Sequence, residues 1–283
     1  MTHTSPALRA CLNGKRALLT GASRGLGSLL AQELAACGVE LLLSARNHEQ
    51  LQQLRQSLQA GGARAPIHLH PCDLGNSTEV LALAQEAKNL FGAPDILINN
   101  AGLMHTRSSS AAICQMLAVN LQAPMLLTDA LLPAMQARNS GHILNLASVA
   151  GFLPVEFGDM YAAGKHGLVG FTRSLRATMQ RQGSALAVSL ICPGFVSGAG
   201  MYADQAEAHG IHAPPLVGAI PAPEVVAYIV RTLARAQSHE KILAPFSTRL
   251  SCMCYNLAPR LTAWSMNLAR AHTVFERVAK RSD

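Results

Sequence analysis

The chain has 283 residues, 49% of them hydrophobic and 14% charged, a composition that can bury a large core and excludes a disordered polypeptide. Its formal net charge of +7 fits an anionic partner, but the Lys and Arg residues are scattered rather than striped, which argues against nucleic acid and leaves a phosphate-bearing small molecule. The cysteines, Cys11, Cys37, Cys72, Cys114, Cys192, Cys252 and Cys254, are odd in number and lie in apolar surroundings, as free thiols of a reducing, cytoplasmic compartment do.

In chain order, Met1 to Leu12 has no apolar run of signal-peptide type, and residues 1–13 read as an N-terminal tail. Arg16 to Thr20 is a short apolar strand that runs into Gly21-Ala22-Ser23-Arg24-Gly25-Leu26-Gly27, after which Ser28 to Cys37 has the apolar period of a helix. A strand, a glycine-rich turn and a helix form a phosphate cradle, because glycines let the backbone approach a pyrophosphate and helix N-terminal N–H groups point at it. The spacing is Gly-x-x-x-Gly-x-Gly, so the mechanism of the dinucleotide fingerprint carries over while its pattern does not.

Val39 to Ser44 is the next strand, followed by Ala45-Arg46. A fold that prefers NAD places an acid near this strand end for the ribose 2′-hydroxyl; here Glu40 stands at the strand's beginning instead. Arg46 and Arg24 are placed to meet a 2′-phosphate bidentately, which points to NADP(H) over NAD(H). His48 to Ala60 reads as a polar helix stopped by Gly61-Gly62. Ile67 to Pro71 is a third strand, with Cys72-Asp73-Leu74 at its carboxyl end, where open α/β sheets bind ligands. His68-x-His70 has no further metal ligands nearby and reads as structural. Ser77 to Phe91 is amphipathic, and Ile96-Leu97-Ile98 leads into the turn Asn99-Asn100-Ala101-Gly102.

Ala111 to Leu132 is a long apolar helix with Asn120 near its middle, either exposed or buried with a polar duty. Two long uncharged runs, Ser108 to Thr128 and Ser184 to Ala203, contain proline and polar residues and do not read as membrane spans. His142 to Leu146 is another strand, with Ala147-Ser148 at its end, and Ala185 to Ile191 gives a sixth, ending in Cys192-Pro193-Gly194. The alternation defines an α/β chain with a doubly wound parallel sheet in one domain, residues 14–246.

Between the last two of these strands stands Tyr161-Ala162-Ala163-Gly164-Lys165. On a helix Tyr161 and Lys165 leave the same face one turn apart. A phenol with an ordinary pKa of about 10 can trade protons near neutrality when an ammonium beside it favours the phenolate, and the hydroxyl of Ser148 can hold a substrate oxygen in the same network.

Together, Thr20-Gly21-x-x-x-Gly25-x-Gly27, Asn99-Asn100-Ala101-Gly102, Asn120, Ser148, Tyr161-x-x-x-Lys165 and Pro193-Gly194 resemble the short-chain dehydrogenase/reductase family in its compact single-domain branch, over about Gly14 to Phe246. The resemblance implies a Rossmann-type fold and reversible hydride transfer between a nicotinamide and a ketone or secondary alcohol. It implies Tyr161 as general acid/base, Ser148 as the group that orients the substrate oxygen, and Lys165 as the holder of the nicotinamide ribose. Asn120 would anchor a relay water, Asp73 and Leu74 would face the adenine, and Asn100, Ala101 and Gly102 would line the cofactor. Pro193, Gly194 and Val196 would flank the nicotinamide, and Ser197 stands where many relatives have a carboxamide-binding threonine. Members are often homodimers or homotetramers.

Residues 196–223 occupy the position of the substrate lid, where Met201, Tyr202, Ile211, Leu216 and Val217 fit an apolar or amphiphilic substrate. His209-x-x-His212 reads as loop surface, and Cys252-x-Cys254 lacks the second pair of a zinc site, so no metal is expected. In the extension, residues 247–283, Leu261, Trp264, Leu268, Ala271, Phe275 and Val278 recur at steps of three and four, opposed by Arg270, Arg277, Lys280 and Arg281. Such a helix docks on its own domain, on a partner subunit or peripherally on an anionic membrane. The enzyme reading has two rivals: an NAD-dependent alcohol dehydrogenase, and a non-catalytic NADP(H)-binding sensor or scaffold, which predicts damage among Asn120, Ser148, Tyr161 and Lys165.

Overall fold

A computed structural model describes residues 5–105, 109–210, 212–214 and 217–268. The stretch read as an N-terminal tail contains helix α1 (Pro6–Leu12), which Ser5 caps and which buries Leu12. Then come β1 (Arg16–Thr20), α2 (Gly25–Ala36), β2 (Glu40–Ala45), α3 (His48–Ala60), β3 (Ile67–Pro71), α4 (Ser77–Phe91) and β4 (Ile96–Asn99). Helix α5 (Ser110–Leu117) passes through one π-helical turn, Ala118–Gln122, into α6 (Ala123–Ala137), so the long apolar helix of the sequence is a three-part run. β5 (His142–Leu146), a 3₁₀ turn at Val149–Gly151, α7 (Asp159–Arg181) and β6 (Ala187–Pro193) follow. The chain continues through β7 (Phe195–Ser197), α8 (Met201–His209), β8 (Ala219–Pro221), α9 (Ala222–Arg235), β9 (Glu240–Leu243), α10 (Phe246–Tyr255) and α11 (Pro259–Leu268).

Seven parallel strands pair in the order β3-β2-β1-β4-β5-β6-β9, and β7 pairs with β8 in a small second sheet. Both faces of the large sheet are buried, which is why its strands read as unbroken apolar runs rather than alternating ones. Leu19, Leu41 and Leu43 face α2, α3 and α9, while Leu18, Leu42, Leu97 and Ile143 face α4 and α6. The run Ser110–Ala137 is long and apolar enough to cross a membrane by composition, but Leu127, Leu131 and Met135 bury themselves in this second core.

Several boundaries moved for visible reasons. Helix α2 begins at Gly25, three residues ahead of Ser28, because two of the loop glycines belong to its first turn. β6 begins at Ala187 because Asn139 Oδ1 takes the backbone N–H of Ala185, at 2.8 Å, out of the ladder. The last strand ends at Leu243, and Phe246 starts α10 after Pro245. The strand order reverses between β1 and β4, and the carboxyl ends of those two strands open the crevice where a doubly wound sheet binds its ligand.

Candidate active site

The crevice holds a cavity of about 360 Å³. Its floor comes from the turns after β1 and β4, tied together by one hydroxyl. Thr20 Oγ1 accepts from the N–H groups of Asn100 and Ala101 at 3.1 and 3.2 Å and donates to the Ile98 carbonyl at 3.3 Å. Asn100 Nδ2 in turn donates to the Thr20 and Gly21 carbonyls at 2.8 and 3.2 Å, so Asn100 shapes the glycine loop from behind. A Cβ on Gly27 would lie 2.0 Å from the Gly21 carbonyl oxygen, and one on Gly21 would lie 2.8 Å from the Ala101 Cα. Only glycine fits either position.

A dinucleotide fits this floor. Gly21, Ser23, Arg24, Gly25, Leu26 and Gly27 line the cavity, and α2 begins there with no side-chain cap and no acid in its first turn. The first N–H groups of a helix have no intrahelical acceptor and suit an anion there. Arg24 already meets one: its Nη1 lies 2.5 Å from Asp204 Oδ2 of α8. Arg46 lines the wall after β2, while Glu40, at the other end of that strand, is held by His68 at 2.9 Å. Asp73 and Leu74 line the cavity after β3. Asp73 Oδ1 accepts from the Gly75 N–H at 2.9 Å, and its own N–H donates to Glu79 at 2.7 Å, so the turn is locked.

The reactive end is built on β5 and α7. Ser148 closes β5 and caps the 3₁₀ turn, accepting from the Ala150 N–H at 3.1 Å. Tyr161 and Lys165, on one face of α7 as their spacing requires, line the cavity with Ser148. Burial pushes the Tyr161 pKa up to about 12, against the opposing pull of the Ser148 hydroxyl. Burial also brings the Lys165 ammonium down to about 8. Lys165 Nζ donates to the Leu146 carbonyl at 3.1 Å and lies 5.7 Å from the Tyr161 ring centre. The net direction at Tyr161 is thus set by desolvation of the phenolate.

Asn120 is fully buried in the π turn. Its Oδ1 accepts from the Leu103 N–H at 3.0 Å and its Nδ2 donates to the Leu103 carbonyl at 2.6 Å, which pins the chain after Gly102. Gly164 of α7 allows this, since a Cβ there would stand 3.2 Å from the Asn120 Cβ. Asn120 does not line the cavity. It does border Gly102, where an added Cβ would lie 3.4 Å from Asn120 Oδ1 and 3.6 Å from Lys165 Nζ.

Asn100, Ala101, Gly102, Pro193, Gly194 and Val196 line the middle of the cavity, whereas Ser197 stays on β7 outside it. Around the reactive end stand Met104, Val149, Val155, Phe195, Met201 and Val217. Ile211 and Leu216 of the expected lid lie outside the described residues. The sequence reading missed Thr248, which lines the cavity from α10 and donates to the Val217 carbonyl at 3.2 Å. It also missed Asp204 as the partner of Arg24. No local signal marks either residue. A third omission did carry a signal, an asparagine inside the apolar strand His142–Leu146. Asn145 Oδ1 accepts from Asn99 at 2.7 Å, and its Nδ2 donates at 2.8 Å to Thr172 of α7, fastening the catalytic helix to the sheet.

The sequence model described as short chain dehydrogenase matches residues 15–209. Ketoacyl reductase HetN of Nostoc sp. is 38% identical over 236 residues, or 82% of this chain and 79% of that protein. Dehydrogenase/reductase SDR family protein 7-like of Anopheles gambiae is 31% identical over 265 residues, 90% of this chain and 83% of that protein. The crystal structure of a metagenomic short-chain oxidoreductase in complex with NADP covers 82% of this chain and 97% of its own, at 32% identity and a TM-score of 0.67. A matched model, these relatives and the seven-stranded crevice agree: the chain belongs to the short-chain dehydrogenase/reductase family, oxidoreductases that use a nicotinamide cofactor on CH–OH and carbonyl groups.

Proposed function

We propose that the protein is an NADP(H)-dependent reductase of apolar or amphiphilic ketones. The observation that carries the reading is a buried phenol held beside Ser148 and Lys165 in the same cavity as an uncapped glycine-loop helix flanked by Arg24 and Arg46. The bound cofactor supplies a hydride at nicotinamide C4. Ser148 orients the substrate oxygen toward Tyr161, whose phenol gives it a proton. A pKa near 12 keeps that phenol protonated at neutral pH, which suits it to donation and so to reduction. Lys165 would hold the nicotinamide ribose, and Asn120, which borders Gly102 near Lys165 Nζ, would anchor a relay water. The groups around Met104, Val155 and Met201 exclude bulk water from the reacting carbon. Val196, which lines the cavity where Ser197 does not, would flank the carboxamide.

The lack of an acid at the end of β2 supports a phosphate reader, as do the NADP of the metagenomic relative and the ketoacyl reductase named among the relatives. The test is cofactor oxidation with NADPH and NADH in parallel, using ketones from small aliphatic to long-chain β-ketoacyl compounds. Replacing Arg24 and Arg46 with alanine should raise the KM for NADPH roughly 10- to 100-fold and leave that for NADH within about twofold, as the loss of one or two charge-assisted pairs requires. Equal effects on the two cofactors would remove the arginines as phosphate readers. A purely cofactor-binding sensor would bind NADPH and turn over no ketone.

A further inference from the structure

Of the ten large apolar side chains most exposed among the described residues, six lie between Phe246 and Trp264. Phe246 is 70% exposed, Met253 69%, Leu257 87%, Leu261 65% and Trp264 63%, with Leu250 between them at 47%. Their steps are four, three, four, four and three, so α10 and α11 each turn an apolar face outward. The opposite faces are anchored: Thr248 and Cys252 on α10 and Thr262 on α11 are buried. Scattered exposed leucines need no explanation, but a clustered face of this kind marks an interaction surface.

Charge selects the occupant. Seven basic residues and two acidic ones stand between Lys241 and Asp283, so most of the chain's +7 sits in this part of it. No acid occurs from Lys241 to Phe275. A second copy of this chain meeting the face two-fold would set like charge against like. An anionic lipid surface offers the complement of both features: acyl chains for the apolar side chains and headgroups for the arginines, with tryptophan at the boundary. The guanidinium carbon of Arg249 lies 5.9 Å from the Phe246 ring centre, which sets a cation beside the apolar face.

We infer that α10 and α11 form a docking surface for anionic membranes. The buried side of α10 carries Thr248 to the catalytic cavity, so the docking helix is also a wall of that cavity, and docking sets the site near a bilayer that would supply the proposed amphiphilic ketone.

Trp264 is the chain's sole tryptophan, and its emission reads the surface directly. The full-length protein is mixed with phosphatidylcholine vesicles with and without phosphatidylserine, and emission and co-sedimentation are followed. Vesicles containing phosphatidylserine should shift the emission to the blue and pellet the protein, both effects fading with added salt. Leu250→Ser, Leu257→Ser and Leu261→Ser combined should weaken vesicle partitioning roughly 100-fold and leave ketone reduction in lipid-free buffer unchanged. No blue shift in the wild type overturns the inference, as does undiminished binding in a triple variant that melts like the wild type. A wild type that self-associates through this face, and shrinks on the triple substitution without binding vesicles, overturns it in favour of a second copy. If the triple variant does not fold, the salt and lipid dependence of Trp264 emission in the wild type still decides. Vesicle binding with no ketone turnover in any condition would fail the function and leave the surface intact.

Discussion

Replacing Lys165 with methionine should make the cofactor-free protein more stable at neutral pH while abolishing turnover. Burial holds the Lys165 ammonium at about 8 against a reference of 10.5, so at neutral pH the fold carries a charge whose desolvation costs roughly 3 kcal/mol. Methionine has nearly the same length and removes that cost. It also leaves the Leu146 carbonyl without the Nζ–H that now reaches it at 3.1 Å, a loss of about 1 kcal/mol. The net gain is roughly 2 kcal/mol. The sign depends on pH: from about 8 to 10.5 the unfolded wild type keeps a proton that the folded wild type has lost, so wild-type stability rises there relative to the variant. Urea unfolding of both proteins without cofactor, at neutral and at alkaline pH, measures this. A variant less stable than the wild type at neutral pH, or a difference that does not shrink on going alkaline, refutes the account of Lys165 as a charge kept buried for function at the expense of stability.

Tyr161→Phe removes the proton donor without disturbing the cleft wall, so kcat should fall at least roughly 1,000-fold while NADPH affinity measured by fluorescence titration stays within about twofold. Gly27→Ala places a Cβ 2.0 Å from the Gly21 oxygen and 2.8 Å from Asn100 Nδ2; the glycine loop must shift, and calorimetric titration should show NADPH binding weakened by roughly 100-fold or more, alongside a lower Tm. His142, whose Nε2 contacts Ser189 Oγ at 2.8 Å, is pushed by burial to about 4 from a reference of 6.5. As pH falls between those values the unfolded chain takes up a proton that the folded one refuses, so stability should drop by roughly 3 kcal/mol. Urea midpoints for the wild type and His142→Gln across that range should converge if this is right.

The alternation of apolar runs with amphipathic segments was plain in the primary structure because strand and helix periods are local, and α3, α4, β3 and β5 have the bounds the pattern predicts. The start of β6 shifted through a non-local partner, Asn139 at Ala185, which no sequence window around that strand contains. Helix α1 went unread because its one buried residue, Leu12, needs the rest of the core to be buried against.

The reactive pair was legible for the same local reason: an i, i+4 spacing puts Tyr161 and Lys165 on one face before any tertiary contact forms. The glycine loop was legible because its chemistry is a matter of backbone shape. The tertiary structure decided what those groups meet. Sheet order brought the turns after β1 and β4 together under Thr20, carried Thr248 of α10 to the cavity from a hundred residues away from Ser148, and left Ser197 outside it. It also set the sign of the Tyr161 shift, because desolvation is the sum of everything packed around a group, and a sequence window holds only a few of those neighbours.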